Sequence, residues 1–279
     1  MTELTEAQKT WGGSPTGWAS AKDEMPGTLA FFDKARRFRD TIEQPWLEDV
    51  FPFVETKGRR VLEIGFGPGF DALKFLQCGA DYSGIDITSE NVDRTKKHLS
   101  FFGFAPDVSQ GNAEQLAYPD ASFDIVYSNG VLHHLPNLQN ALLEIRRVLK
   151  PRGEMTILMY HRYSVFYLGV LLTHLVSGRI FRESLTDRRS RIEATASSEA
   201  KPIVNVYSTA ELAALLKSSG FEIRRIAVRK CTPDDFPGAR ILRPLLRLVP
   251  QPFFDAIGRF AGWYIIATAT PPDALRVQT

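Results

Sequence analysis

RVLEIGFGPGFDALKF, residues 60–75, is the stretch around which the rest of the chain falls into order. Val61, Leu62 and Ile64 make a short apolar run, Gly65, Gly67 and Gly69 follow at alternate positions, and Leu73 and Leu76 continue with helical spacing. The pattern predicts a strand, a tight turn and a helix. Glycine lets the backbone approach a ligand closely, and the first turn of the helix leaves N–H groups unpaired. In an open α/β sheet such a turn lies at the carboxyl end of a strand, where cofactors bind.

Spacing narrows the cofactor. A dinucleotide fingerprint needs its third glycine where Phe70 stands, and no Gly-Lys-Ser/Thr follows to make a phosphate loop. The next apolar segment, YSGID, ends in Asp86 about 20 residues after the glycines, where a carboxylate accepts from ribose hydroxyls. The ligand therefore has a ribose and need not have a pyrophosphate.

At these residues the chain resembles the class I S-adenosylmethionine-dependent methyltransferases, in the small-molecule branch that includes type 11 and ubiquinone–menaquinone methyltransferases. Their first motif, E/D-x-G-x-G-x-G, reads here as Glu63, Gly65, Gly67 and Gly69. The resemblance runs from about residue 60 to 160 and resumes weakly from 207. It implies S-adenosyl-L-methionine as cofactor, with Asp86 on the ribose and Ile87 against adenine. It also implies adenine contacts from Asn112, Ala113 and Glu114, with an amide at Asn112 where the family usually has an acid. Ser128 and Asn129 fall where the family's backbone meets the methionine end of the cofactor.

The remaining pattern predicts alternating strands and helices. Thr88 or Ser89 caps a helix ended by Gly103, Asp107–Gln110 and FDIVYS are strands, Asn137 caps the next helix, and EMTILMY is the fifth strand. Strands separated by helices imply parallel βαβ units. Ser208 and Glu211 form a capping box, and strands at 221–229 and 263–270 complete the sheet. The expected fold is α/β: a Rossmann-like, seven-stranded mixed sheet with helices on both faces, its last strand antiparallel, plus a mainly helical lid insertion. The expected divisions are an N-terminal arm and cap helix (1–54), a cofactor-binding core (55–160), the lid (161–206) and the C-terminal part of the sheet (207–279) with a further insertion at 231–260.

The flanks are less regular. Residues 1–28 read as an irregular arm, with Trp11 and Trp18 either folding over the cofactor or docking elsewhere. A helix is expected over 29–54, with Phe31, Phe32, Ala35 and Phe38 on one face and Arg36, Arg37 and Arg39 beside them, on a solvated side or roofing the pocket. The insertion carries Tyr163, Phe166, Tyr167, Leu168, Leu171 and Leu172, which suggests a helical cover for an apolar substrate or an interface; the arginines of 179–191 make a solvated face or an anion-binding wall. Leucines and arginines of 231–260 are interrupted by prolines, so core packing or part of the substrate mouth is favoured over contact with a membrane surface.

Composition excludes other classes. Lys and Arg total 34 against 32 Asp and Glu, so no bulk charge favours nucleic acid. Two cysteines, Cys78 and Cys231, without a C-x-x-C pair, argue against a metal site or disulfide framework and for a reducing cytoplasm. No transmembrane or signal segment is read, and a homo-oligomer stays open. Methyl transfer needs a protein base only where the acceptor, a small molecule, must lose a proton. His133 and His134 after the fourth strand and Tyr160 and His161 after the fifth are the candidates, ordered His134, His161, Tyr160, each histidine being otherwise a loop or core hydrogen-bonder. Two rival classes are a regulatory protein that binds the cofactor without turnover and a nicotinamide-dependent oxidoreductase.

Overall fold

The structure is a computed structural model that describes residues 3–13, 18–193, 202–236 and 244–272. The N-terminal segment is helical: α1 spans Glu3–Gly13. An irregular arm was expected there because the segment lacks apolar periodicity; tertiary contacts supply the order instead. Arg94 donates to the Gly12 carbonyl at 2.5 Å, and Gln8 donates to the Ile87 carbonyl at 3.2 Å.

The helix expected over 29–54 is broken. α2 (Leu29–Phe38) starts on a Thr28 cap and relaxes into a π-helical turn, Arg39–Glu43. Pro45 then removes an N–H and forces Gln44 off the helical backbone (φ −135, ψ 49). A short helix, α3 (Leu47–Val50), and a 3-10 turn lead into the sheet.

β1 (Arg60–Ile64), α4 (Phe70–Gln77), β2 (Asp81–Asp86), α5 (Ser89–Ser100), β3 (Asp107–Gln110), β4 (Phe123–Asn129), α6 (Leu138–Val148) and β5 (Leu149–Tyr160) follow in alternation. Thr88 caps α5 and Asn137 caps α6 through their side-chain oxygens, as their sequence positions indicated. After β5 come α7 (Val165–Val176), a 3-10 turn, α8 (Leu185–Ser190), α9 (Thr209–Ser218) under the Ser208–Glu211 capping box, β6 (Glu222–Arg229), α10 (Gln251–Ala261) and β7 (Tyr264–Thr270).

The seven strands lie in the order β3-β2-β1-β4-β5-β7-β6. All neighbours are parallel except β7, which runs antiparallel to both β5 and β6. Strand order reverses between β1 and β4, which opens a crevice at their carboxyl ends. β1 and β4 read as almost continuous apolar runs because both faces of the sheet are covered. One apolar cluster joins α6 and α9 to one face through Leu142, Ile145, Leu212 and Leu216. A second joins α3, α4, α5 and α7 to the other through Leu47, Phe75, Leu99 and Tyr167.

Candidate functional site

A cavity of about 650 Å³ occupies that crevice. Its floor comes from the ends of β1, β2, β4 and β5, and α1 and the π-helical turn close it from above. Gly65 holds φ +77 and donates to the Ile85 carbonyl at 2.7 Å; a Cβ on it would lie 2.2 Å from the Val131 side chain. Gly67 holds φ +53, and a Cβ on it would meet no protein atom within 4 Å. Two residues of positive φ at a strand end keep side chains out of the crevice.

Asp86 lies at the end of β2 and lines the cavity. Its Oδ2 accepts from the Gly67 N–H at 3.0 Å, and its Oδ1 accepts from the Thr88 N–H and hydroxyl and from Asn91. Burial raises its pKa, against the lowering effect of these donors. The carboxylate thus ties the glycine turn to the start of α5. Ile87, Asn112, Ala113 and Asn129 also line the cavity. The Asn112 amide oxygen closes a turn on the Glu114 N–H at 2.9 Å, leaving one lone pair.

Other residues named from the sequence lie outside this lining, among them Ser128, buried with its hydroxyl donating to the Ile64 carbonyl at 3.0 Å. Glu63 is buried beneath the turn, where its carboxyl accepts from the Tyr82 hydroxyl at 2.8 Å; burial and then the Asp71 charge push it up to about 8. Gly69 serves as the N-cap of α4, with φ +79 and Thr95 where its Cβ would be. The Glu114 carboxylate accepts from the Asn137 N–H that opens α6. His161 is buried away from the cavity with its Nδ1 3.1 Å from the Gly262 carbonyl, so it ties β5 to the turn before β7.

His134 does line the cavity. Its Nδ1 lies 2.6 Å from the Ile203 carbonyl. A carbonyl only accepts, so Nδ1 carries the proton and Nε2 keeps a lone pair. Nε2 has no partner and is shielded from solvent, and the Trp11 ring packs 4.9 Å from the imidazole. Burial lowers the pKa of His134 and keeps the ring neutral, although the Glu193 charge opposes this. The Tyr160 hydroxyl donates to Glu193, and burial together with that carboxylate pushes the phenol well above its ordinary value.

Sequence reasoning passed over several lining residues. Arg39, expected beside solvent or over the pocket, is only 7% exposed and forms a two-armed ion pair with Asp71, at 2.6 and 2.5 Å. Asp71 also accepts from the Tyr127 hydroxyl and the Asn129 amide, and Asn129 exchanges hydrogen bonds with Gln44. This network fixes the wall between the π-helical turn and β4. Glu43, Glu193 and Tyr264 complete that side. The π turn itself was the missed signal, because Pro45 ends the helix soon after Arg39. Of the apolar insertion residues, Tyr167 is buried on Trp263, Tyr163, Leu168 and Leu172 face solvent, and none lines the cavity.

Glycine turn, the Asp86 carboxylate, strand order and the Asn112 loop together make a Rossmann-like α/β fold of the methyltransferase type. Within it, residues 62–157 match the methyltransferase domain family Methyltransf_11. The chain is 30% identical over 156 residues to the uncharacterized methyltransferase YcgJ of Bacillus subtilis (strain 168), covering 54% of this chain and 62% of that protein. It is 33% identical over 143 residues to a ubiquinone biosynthesis O-methyltransferase of Maricaulis maris (strain MCS10), covering 50% and 55%. The chain thus spans little more than half the length of these relatives. The crystal structure of the [4+2]-cyclase SpnF superposes with a TM-score of 0.56 at 20% identity, over 97% of this chain and 93% of that one. That likeness shows the fold, which hosts more than one chemistry.

Proposed function

We propose that this chain transfers the methyl group of S-adenosylmethionine to an oxygen or nitrogen of a small, partly apolar acceptor, with His134 as the base. The observation that carries this reading is the neutral His134, its Nε2 lone pair unpartnered, in the same cavity as Gly65, Gly67 and Asp86. When bound, S-adenosylmethionine supplies an electrophilic methyl carbon on a sulfonium. Asp86 would hold the ribose hydroxyls, the Gly65–Gly67 turn would admit the methionine portion, and Ile87 with Ala113 would flank the adenine. His134 takes the proton from the acceptor as its oxygen or nitrogen bonds to the methyl carbon and the carbon–sulfur bond breaks. Tyr160, held protonated by burial and Glu193, positions Glu193 at the cavity wall and does not act as a base. α1 and Trp11 act as the cover: they keep water from the site and must lift for an acceptor to reach Nε2. A carbon acceptor, as the name of a sterol 24-C-methyltransferase relative implies for that protein, would leave Nε2 without a task.

Formation of S-adenosylhomocysteine from labelled S-adenosylmethionine, across a panel of phenols, amines and hydroxylated lipids, tests the activity. His134→Ala should lower kcat on the accepted compound by about 100-fold or more while leaving S-adenosylhomocysteine affinity unchanged. Tight cofactor binding with no turnover on any acceptor would replace the reading by that of a binding protein; full turnover by the variant would remove His134 from it.

A further inference from the structure

α7, VFYLGVLLTHLV, contains no Asp, Glu, Lys or Arg, yet only one side of it is covered. Leu168, Leu172, Leu175 and Val176 fall at i, i+4, i+7 and i+8, a single helical stripe, and all are exposed, Val176 at 85%. The 3-10 turn that follows adds Phe181 at 84%. α10 repeats the arrangement: Phe254 and Gly258 are buried, while Phe253 and Phe260 lie seven residues apart on the open side, Phe260 at 81%. A helix solvated on its outer face carries polar residues there. These two carry leucine, valine and phenylalanine.

Both helices belong to one end of the sheet. α7 leaves the carboxyl end of β5, α10 runs into the start of β7, and Tyr160 of β5 pairs with Tyr264 of β7. The His161 N–H donates to the Trp263 carbonyl, and Phe166 of α7 packs on Trp263 with ring centroids 4.7 Å apart. Tyr160 and Tyr264, the residues at which these two strands meet the helices' end of the sheet, line the cavity.

We propose that this end of the molecule docks on an anionic phospholipid bilayer, with the α7 and α10 stripes entering the headgroup–acyl boundary. Charge selects this occupant. Residues 165–193 hold five arginines against three carboxylates; Glu183 serves both Arg179 and Arg191, and Glu193 is turned inward to Tyr160. α10 carries Arg259 next to Phe260 together with Asp255, and Arg247, paired with Asp234 at 3.7 Å, lies next to the exposed Leu248, so the excess positive charge comes from residues 165–193. Apolar side chains interleaved with exposed arginines suit an anionic interface, where guanidinium groups meet phosphate and their stems lie along the acyl chains. A two-fold contact with a second copy would bring those arginines against their own counterparts. Among the described residues no helix is long and apolar enough to cross the membrane, so the contact is with one leaflet.

Sedimentation of the full chain with sucrose-loaded vesicles tests this, comparing phosphatidylcholine alone with an equal mixture of phosphatidylcholine and phosphatidylglycerol. At about 0.1 M salt, binding to the mixed vesicles should exceed binding to the neutral ones by about tenfold or more and should fall sharply at about 1 M salt. Combined Leu172→Ser, Val176→Ser, Phe181→Ser and Phe260→Ser should abolish pelleting while S-adenosylhomocysteine affinity, measured by calorimetry, reports that the fold is intact. No pelleting with either vesicle, or equal pelleting by the variant, would overturn the proposal. So would a dimer in solution that the four serines dissociate, since the face would then belong to a second copy.

Discussion

Replacing Arg39 with methionine should be among the most damaging single changes outside the apolar core. The guanidinium is 7% exposed, Asp71 is 3% exposed, and two hydrogen bonds of 2.6 and 2.5 Å join them. Methionine keeps the volume but leaves the carboxylate with only the neutral donors Tyr127 and Asn129, at 3.0 and 3.2 Å. An uncompensated buried charge of this kind costs about 3–5 kcal/mol, which at a urea slope of about 3 kcal/mol per M moves the midpoint down by about 1–1.7 M. The double variant Arg39→Met/Asp71→Leu should recover most of that loss, because no charge is then buried. pH supplies an independent check. In the parent, burial opposes but Arg39 overcomes it, holding the Asp71 pKa below its ordinary value, so its contribution is present above the unfolded pKa and is lost as pH falls. In Arg39→Met the carboxyl has lost that partner and its pKa rises, so the penalty shrinks as pH falls and Asp71 takes up a proton. A midpoint shift under about 0.3 M, or a double variant less stable than both singles, would refute the reasoning.

Asp86→Ala should lower S-adenosylmethionine affinity by about tenfold or more in calorimetry, since it removes charge-assisted bonds to ribose and frees the Gly67 N–H; an unchanged affinity would remove Asp86 from the site. Gly65→Ala should destabilise by more than about 2 kcal/mol, because its Cβ meets Val131 at 2.2 Å and its φ is positive. Gly67→Ala should cost only about 1 kcal/mol of stability and act chiefly on cofactor affinity; thermal unfolding and calorimetry on both variants would show the reverse order if the turn were misassigned. Glu63, pushed up to about 8, contributes stability that is full below its unfolded value near 4.5 and is lost as pH rises toward 8. Glu63→Gln, which copies the protonated form, should therefore gain on the parent by up to about 3 kcal/mol between pH 5 and 7, and parallel stability profiles over that range would sink the idea.

The sheet and the glycine-turn side of the cavity were legible because they are written locally. Alternating apolar runs and caps at Thr88, Asn137 and Ser208 marked the elements, and Gly65, Gly67 and Asp86 lie within one strand–turn–helix–strand unit. The acceptor side was not, because its members come from five distant segments. His134 and His161 look alike in sequence; which one reaches the cavity is settled by whether Ile203 or Gly262 offers its carbonyl. Whether Arg39 faced solvent or roofed the pocket stayed open because no local pattern reveals Asp71, 32 residues later, as its buried partner. Glu193 reaches the cavity from the insertion by way of Tyr160, a pairing that no spacing encodes.

The position of β7 constrains how the molecule comes into being on the ribosome. β6 pairs only with β7, and β7 lies between β6 and β5, so β6 has no place in the sheet until the final strand has been synthesised. The five parallel strands before it can assemble as the chain emerges, with the glycine turn and Asp86 already in register. Tyr264, the first residue of β7, forms part of the cavity wall. A nascent chain can therefore shape the cofactor's half of the cleft early, but the wall beside Tyr160 closes only when the last strand slots between two that were waiting for it.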